Sequence, residues 1–252
     1  MPTVFAVANQ KGGVAKTTTV HSLGAALAER GRQVLLVDLD PQACLTYSLG
    51  LTADELGHSL HDVIVHHTPV SEALTKVGDL HVLPSTIDLA GAEIYLLSKT
   101  GREYALARAL EPIVSDYDVV LVDCPPSLGI LTINGLTAAN EVLIPLQCET
   151  LSSRGVGQLL ETVADVRAFT NPRLGVAGII ATMYDGRTRL GQQVLAAAHE
   201  EHGLELLPPP VPKSVKVAEA PGRSRSVLQH APHSPAADAY RELAATLDAR
   251  LR

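Results

Sequence analysis

The sequence predicts an α/β fold in which helices flank a doubly wound, mostly parallel sheet. Strand-like and helix-like runs alternate along the 252 residues, which is typical of parallel strands joined by helices. Several strand-like runs, such as 34–37 and 119–122, are continuous apolar blocks that suit strands covered on both faces. No internal repeat or low-complexity tract interrupts the alternation, so we predict a single domain over 1–252.

The predicted elements follow from these runs in chain order. The first strand is a short apolar run that leads into a glycine-rich loop, and the first helix follows that loop. A Pro- and Ser-rich segment, 208–226, is predicted to be a structured loop because another helix follows it. We predict strands over 3–8, 33–38, 80–84, 118–123, 141–146 and 174–182, and helices over 17–30, 102–115, 152–169, 188–202 and 235–250.

Composition and charge exclude several classes of function. Aromatic residues make up 3% and Trp is absent, which argues against an aromatic platform for single-stranded nucleic acid. The net charge of −7 means that any contact with DNA must come from a local basic patch. We expect the three cysteines to be buried, reduced thiols of a cytoplasmic protein. We expect seven of the histidines to lie on the surface without a metal, namely His61, His66, His67, His199, His202, His230 and His233. We expect no signal peptide and no membrane-spanning helix.

Residues 9–18, Asn-Gln-Lys-Gly-Gly-Val-Ala-Lys-Thr-Thr, predict a phosphate-binding loop between a strand and a helix. Glycines let backbone N–H groups point at phosphate oxygens, and the helix dipole adds to their attraction. Lys16 is predicted to reach the β- and γ-phosphates, and the Thr17 hydroxyl to bind Mg²⁺. The segment lacks two glycines of the ordinary pattern, and instead matches the variant Lys-Gly-Gly-x-x-Lys-[Ser/Thr], with an early lysine at 11.

Carboxylates end two of the predicted strands. Asp38 and Asp40 follow the second strand, and Asp123 ends the apolar block 119–122. Beside a phosphate loop, such carboxylates suit Mg²⁺, its water shell, or the positioning of an attacking water. The phosphate loop comes first along the chain, Asp38 and Asp40 follow it, and Asp123 comes last. This order predicts a nucleoside triphosphate site.

These motifs resemble those of the ParA/Soj family of deviant-Walker ATPases, in the wider group that includes MinD. The resemblance is carried by 9–18, by Asp-Leu-Asp-Pro-Gln at 38–42 and by Asp-Cys-Pro-Pro at 123–126. Pro-Leu-Gln-Cys-Glu at 145–149, Gly155, Leu159 and the segment 212–221 extend it over nearly the whole chain. It implies a P-loop NTPase fold, ATP and Mg²⁺ as cofactors, and slow hydrolysis, since a carboxylate such as Asp40 is a weak base.

Site residues are implied by the same resemblance. Catalysis is assigned to Lys11, Lys16 and Asp40, and metal binding to Thr17, Asp38 and Asp123. Nucleotide binding is assigned to Lys11, Gly12, Gly13, Val14, Ala15, Lys16, Thr17, Thr18 and Pro212.

The family pattern also implies partners. Two subunits sandwich two ATP molecules, and Lys11 crosses to the partner's phosphates. The dimer binds double-stranded DNA without sequence preference, through Arg187 and Lys216, with Arg189 and Lys213 contributing; Lys216 stands where an arginine is usual. A ParB-like centromere-binding protein is the expected activator, and the expected location is the cytoplasm, associated with the nucleoid, with no stable membrane association.

One departure from the family pattern is Ala15, which replaces a glycine before the second lysine. We expect Ala15 to have a negative φ as it enters the helix, at small cost. Three alternative functions stay open: a MinD-like membrane-cycling ATPase, an enzyme such as an iron–sulfur reductase or cobyrinate-type amide synthase, and a tyrosine kinase. The last helix is expected to pack on the core rather than to anchor in a membrane.

Overall fold

The computed structural model describes residues 2–148, 152–188, 196 and 200–251. Seven strands form one sheet in the order β3-β4-β2-β5-β1-β6-β7, parallel except for the antiparallel pair β3 and β4. This confirms the predicted doubly wound sheet. The strands are β1 (Thr3–Val7), β2 (Val34–Asp38), β3 (Thr75–Val77), β4 (Leu80–Leu83), β5 (Val119–Asp123), β6 (Glu141–Gln147) and β7 (Gly175–Thr182).

The α-helices that the described residues form lie between and after these strands. A π-helical turn at Asp62–His66 precedes the third of them, and short 3₁₀ turns lie at Ala53–Glu55, Arg102–Tyr104, Val114–Asp116 and Pro221–Arg223. The helices are α1 (Lys16–Glu29), α2 (Cys44–Ser48), α3 (Val70–Ala73), α4 (Leu89–Leu97), α5 (Ala105–Leu110), α6 (Ile130–Ala138), α7 (Ser152–Phe169), α8 (Val215–Glu219), α9 (Val227–His230) and α10 (Pro235–Asp248).

The sheet is covered on both faces, as the apolar blocks predict. All five residues of β2 and all five of β5 are buried. One hydrophobic cluster joins the sheet to α4, α5, α6 and α7, and the other joins it to α1, α9 and α10. Because the central strands are parallel, their carboxyl ends lie at one edge of the sheet, between the two helix layers.

The C-terminal helix α10 packs on α1, as expected. Its apolar face is fully buried, with Tyr240, Leu243 and Leu247 at 0% exposure. Asp248 at its end pairs with both Arg30 and Arg32. This helix is therefore part of the core, and among the described residues no helix is long and apolar enough to cross a bilayer.

Some sequence predictions need correction. The helix predicted over 102–115 is broken into a 3₁₀ turn, α5 and a second 3₁₀ turn, because Pro112 cannot donate the next helical hydrogen bond. The strand β3 and the helices α4 and α6 were not predicted. Most of the predicted helix 188–202 lies outside the described residues. Of the three cysteines, Cys124 and Cys148 are buried but Cys44 is exposed.

Candidate functional site

The loop between β1 and α1 is tied on both sides to neighbouring strands. Asn9 Nδ2 donates to the Pro145 carbonyl at 2.8 Å, and Asn9 Oδ1 accepts from the Lys11 N–H at 3.0 Å. On the other side, Thr182 Oγ1 donates to the Val14 carbonyl at 3.0 Å. The loop is thus fixed to β6 and β7, which holds its shape independently of any ligand.

The backbone of this loop enters the left-handed region twice, at Gly13 with φ +75° and at Ala15 with φ +65°. Alternating right- and left-handed residues create concave arrays of N–H groups that bind anions. Lys16 Nζ donates to the Lys11 carbonyl at 3.2 Å, so its ammonium lies against the loop. Loop, ammonium and the N-terminus of α1 together provide the donors that a polyphosphate needs.

The predicted negative φ of Ala15 is wrong. Ala15 is the N-cap of α1, with φ 65° and ψ 33°, and its carbonyl accepts from the Thr19 N–H at 2.9 Å. The helix begins one residue later, so Ala15 belongs to the constrained loop and not to the helix. A left-handed alanine costs roughly 1–2 kcal/mol relative to the right-handed region.

We therefore expect Ala15→Gly to raise the free energy of unfolding by about 1 kcal/mol, because glycine has no left-handed penalty although it gains freedom in the unfolded chain. Urea denaturation of the nucleotide-free protein measures this change. Ala249→Gly is the matched control: Ala249 is exposed and has a φ of −66°, so glycine there should lower stability. A destabilised Ala15→Gly variant would contradict the assigned strain.

Three carboxylates converge beside the loop. Asp38 and Asp123 are paired in the register of β2 and β5, and Asp123 is also paired with Val7 at the end of β1. Asp38 and Asp123 are almost completely buried, and Asp40 is 9% exposed. The sheet register therefore brings together Asp38 and Asp123, two of the three residues predicted for the metal, and Asp40 follows Asp38 by two residues.

The two buried carboxylates differ in their hydrogen bonds. Asp38 accepts from the Thr46 N–H at 2.8 Å, from Thr46 Oγ1 at 2.7 Å and from the Asp40 N–H at 3.2 Å. Neither oxygen of Asp123 has a hydrogen-bond partner among the described residues, although the Thr17 hydroxyl is near enough to favour its charged form. Asp123 is therefore the carboxylate whose oxygens are available to a ligand.

Burial shapes the charges of this cluster. It raises the pKa of Asp38 to about 6, against the hydrogen bonds from Thr46. Burial and the neighbouring Asp38 raise the pKa of Asp123 well above its usual range. Burial also lowers the pKa of the Lys16 ammonium, which Asp123 partly offsets. When both carboxylates are ionised their charge exceeds that of the Lys16 ammonium, so a bound divalent cation would favour the ionised forms.

A cavity of about 1020 Å³ opens in front of the loop, large enough for a nucleotide. Its walls include segments of the chain around 40–48, 85–87 and 211–227. The side chain of Val14 is buried outside the cavity, as are Asp38 and Asp123, and Lys11 is half-buried. The sequence-predicted residues that line the cavity are Gly12, Gly13, Ala15, Lys16, Thr17, Thr18, Asp40, Pro212 and Lys213.

The basic residues predicted for DNA lie on two segments that the structure joins. The Tyr184 N–H donates to the Val211 carbonyl at 2.9 Å, and the Lys213 N–H donates to the Tyr184 carbonyl at 3.1 Å. These bonds place the turn that carries Arg187 beside the segment that carries Lys213. Arg189 lies outside the described residues.

Two of these cations are paired with acids on their own segments. The side chain of Arg187 is 91% exposed and makes a two-point contact with Asp185, at 2.9 and 3.1 Å. Lys216 Nζ contacts Glu219 Oε2 at 3.0 Å, and His230 Nε2 contacts the same oxygen at 3.1 Å. Exposed pairs of this kind are weak and can exchange for phosphate contacts.

Comparison with known proteins places the chain in a family. A family profile described as an AAA domain matches residues 2–176. The chain is 43% identical to the sporulation initiation inhibitor protein Soj of Bacillus subtilis over 97% of both chains. It is 46% identical to the chromosome-partitioning ATPase Soj of Thermus thermophilus, over 98% of this chain and 96% of the relative. The chain belongs to the ParA/Soj family of ATPases.

A solved structure resembles this ParA/Soj chain along its whole length. It is described as cobyrinic acid a,c-diamide synthase from Mycobacterium smegmatis with a bound ATP analogue and magnesium. Its sequence is 52% identical, its TM-score is 0.88, and the match covers 98% of this chain and 94% of that one. Among the described residues the Asp123 oxygens have no hydrogen-bond partner, and together with the neighbouring Asp38 carboxylate they fit a magnesium ion.

Sequence reasoning missed several residues that support the ParA/Soj site. Thr46 orients Asp38, and Ser85 supports the turn after β2 by donating from Oγ to the Asp40 carbonyl at 2.9 Å. Asn9 lies at the start of the predicted phosphate loop, but the sequence analysis predicted no role for it. A polar residue directly after the first strand could have indicated one. For Thr46 and Ser85 no pattern in the sequence indicates the contact. The Thr46 contact depends on how α2 folds back, and the Ser85 contact depends on the pairing of β4 with β2.

Proposed function

We propose that this chain is an ATP-dependent DNA-partitioning ATPase. Its ATP-bound sandwich dimer binds duplex DNA without sequence preference, and a ParB-like partner stimulates hydrolysis to drive chromosome or plasmid segregation. One observation carries the proposal: Lys16 and three carboxylates converge on a two-lysine loop, in a chain that matches Soj proteins over nearly its full length. The two core clusters share one sheet, which supports a single domain over 1–252.

In the proposed nucleotide site, the N–H groups of the loop from Gly12 to Thr18 cradle the phosphates. Lys16 exchanges its contact with the Lys11 carbonyl for phosphate oxygens. Thr17, Asp38 and Asp123 would hold Mg²⁺, which would neutralise phosphate charge when bound. The oxygens of Asp38 already accept hydrogen bonds, so those of Asp123 are the more available to the ion. Pro212 lines the cavity and closes its wall.

Asp40 has the position proposed for orienting the attacking water. Its Oδ1 accepts from the Gln42 N–H at 2.9 Å, and its carbonyl accepts from Ser85, so its backbone and carboxylate are both held. A carboxylate is a poor proton acceptor for water, so slow intrinsic turnover is expected. Slow hydrolysis suits a timer in which ATP favours the dimer and ADP the monomer.

The proposed DNA surface combines the Arg187 turn with Lys213 and Lys216, and dimerisation doubles it. Each subunit carries a net charge of −7, so the attraction must come from this patch alone. We expect binding to arbitrary duplex DNA that requires ATP and falls steeply between 50 and about 300 mM salt. A fluorescence anisotropy titration with ATP or ADP tests this; equal binding with both nucleotides, or no salt dependence, would overturn the proposal.

Glu219 offers a sharper test of the same surface. In Glu219→Gln, Lys216 loses its acidic partner, so DNA should bind more tightly, by roughly threefold to tenfold. Lys216→Gln should weaken binding on all sequences and reduce the salt slope by about one per subunit. Glu242→Gln, which makes the same charge change at an exposed position of α10, is the control. Equal effects of the two glutamate variants would indicate a response to net charge alone.

The name of the M. smegmatis structure supplies a second candidate function, ATP-dependent amidation of cobyrinic acid. The two chains match over nearly their whole length, so the activity named for that structure is tested directly on this chain. An assay of ATP-dependent amidation of cobyrinic acid, with ammonia or glutamine supplied as the nitrogen donor and run beside the DNA titration, separates the two functions. Amidation without DNA binding would replace the partitioning proposal.

A further inference from the structure

A cluster of two imidazoles and a carboxylate lies around the π-helical turn that precedes α3. The side chains of His61, Asp62 and His66 each place one ligand-type atom within 4.8 Å of the other two. His61 and Asp62 are half-buried and His66 is exposed. The nucleotide site described above uses none of these residues.

The π-helical turn explains why the two histidines meet. In an α-helix the residue that stands over position i is i+4 or i+3, so residues five apart diverge. A π turn adds one residue, and π turns occur frequently at functional sites. Here the turn spans Asp62–His66, and the rings of His61 and His66 lie edge to face with centroids 5.2 Å apart.

The carboxylate of the cluster is held by a second residue. Asp62 Oδ2 accepts from the Ser59 N–H at 2.8 Å and from Ser59 Oγ at 3.1 Å. Oδ1 faces His61 Nδ1 at 4.0 Å, which is too long for a hydrogen bond. One oxygen is therefore oriented by Ser59 while the other points toward the imidazole, as in metal sites whose carboxylate ligands are themselves hydrogen-bonded.

We propose that His61, Asp62 and His66 form a binding site for a divalent transition metal such as Zn²⁺. Two imidazoles and one carboxylate are ligands that zinc accepts, with bonds of about 2.0–2.2 Å and ligand atoms about 3.3 Å apart in a tetrahedral site. The ligand-type atoms lie within 4.8 Å of one another, and side-chain rotations would bring them to that shorter distance. The site is chemically distinct from the nucleotide site, which offers oxygen ligands and suits Mg²⁺.

The interior side of the turn gives the site a firm base. Val63 and Ile64 are buried in the hydrophobic cluster under α4 and α5. The Leu60 N–H donates to the Pro84 carbonyl at 2.9 Å, which fixes the start of the turn to the end of β4. A rigid support keeps the three ligands close together and lowers the cost of assembling them around an ion.

The test is a Zn²⁺ titration of the full-length, chelator-treated protein against a chromogenic zinc chelator, in excess Mg²⁺ to fill oxygen-ligand sites. Wild-type protein should bind one equivalent of Zn²⁺ that His61→Gln and His66→Gln bind at least tenfold more weakly. His67→Asn is the matched control, because His67 adjoins the cluster outside the ligand set and has a φ of 59°, which asparagine tolerates.

Unchanged zinc affinity in His66→Gln, or an equal loss in His67→Asn, would overturn the site. His66 is exposed, so His66→Gln decides the matter if His61→Gln does not fold. Thermal unfolding gives a second readout. Zn²⁺ should raise the melting temperature of the wild type and of His67→Asn but not that of His66→Gln.

Discussion

Replacing Lys11 by alanine is expected to abolish the ATP-dependent dimer while leaving nucleotide binding by the single subunit in place. Lys16 and the loop N–H groups serve the subunit's own phosphates, whereas Lys11 is proposed to serve those of the partner. A cation supplied across an interface is worth on the order of 10³-fold or more in phosphoryl transfer. Hydrolysis stimulated by DNA and the ParB-like partner should fall by that order.

Two measurements separate these roles. Light scattering after size-exclusion chromatography reports the dimer, and binding of a fluorescent nucleotide reports the loop. Lys11→Ala should stay monomeric with ATP and retain nucleotide affinity, whereas Lys16→Ala should lose that affinity. Lys76→Ala, a change at an exposed lysine of β3, should behave as wild type. If Lys11→Ala still dimerises with ATP, the assignment of Lys11 to the partner's phosphates is wrong.

Replacing Asp123 by asparagine is expected to stabilise the nucleotide-free protein and to eliminate Mg²⁺-dependent hydrolysis. Asp123 is buried next to Asp38, and both its oxygens lack hydrogen-bond partners among the described residues. An amide of the same shape removes the uncompensated charge, so the free energy of unfolding should rise by about 1 kcal/mol at pH 8. Hydrolysis should fall by about 10²-fold or more because the metal loses a ligand.

The pH dependence identifies the cause. In the unfolded chain Asp123 loses its proton near pH 4. In the folded protein burial and Asp38 raise its pKa, so the proton is kept to higher pH. The free energy of unfolding of the nucleotide-free wild type therefore loses this contribution as pH rises from about 4 through the folded-state pKa. Asp123→Asn should show only the smaller loss that comes from Asp38, whose pKa is raised to about 6.

Urea denaturation of the wild type and of Asp123→Asn between pH 5 and 8 measures the difference. Mg²⁺ with ATP should recover the lost stability of the wild type but much less of the variant's, since the ion needs the carboxylate. Asp79→Asn, at an exposed position in the hairpin between β3 and β4, controls for the loss of one charge. A gap between wild type and Asp123→Asn that does not widen with pH would contradict a raised pKa at Asp123.

The sheet and the meeting of two strand-end carboxylates could be predicted because their signals are local. Continuous apolar blocks end in Asp38 and Asp123, and parallel pairing brings such strand ends together. The conformation of Ala15 was predicted wrongly because its φ is set by ties from Asn9 and Thr182, which join the loop to distant strands. Pairing of β3 with β4 was missed because β3 has three residues, too few for a visible alternation.

Contacts that depend on the path of the backbone could not be predicted from the sequence either. Thr46 reaches Asp38 only because α2 turns back toward the end of β2. The meeting of His61 with His66 depends on a π turn, whereas spacing alone favours ordinary surface histidines. In each case the sequence contains the residue, but the three-dimensional path of the backbone decides what it touches.

The hydrogen bonds between Tyr184 and the segment 211–213 have a thermodynamic consequence. Pro212 and Lys213 line the nucleotide cavity, and the same backbone holds the turn that carries Arg187. Under the proposed function, any factor by which ATP tightens DNA binding must equal the factor by which DNA tightens ATP binding. Duplex DNA would then raise the equilibrium affinity of the protein for ATP by that same factor, and so favour the nucleotide state that binds it.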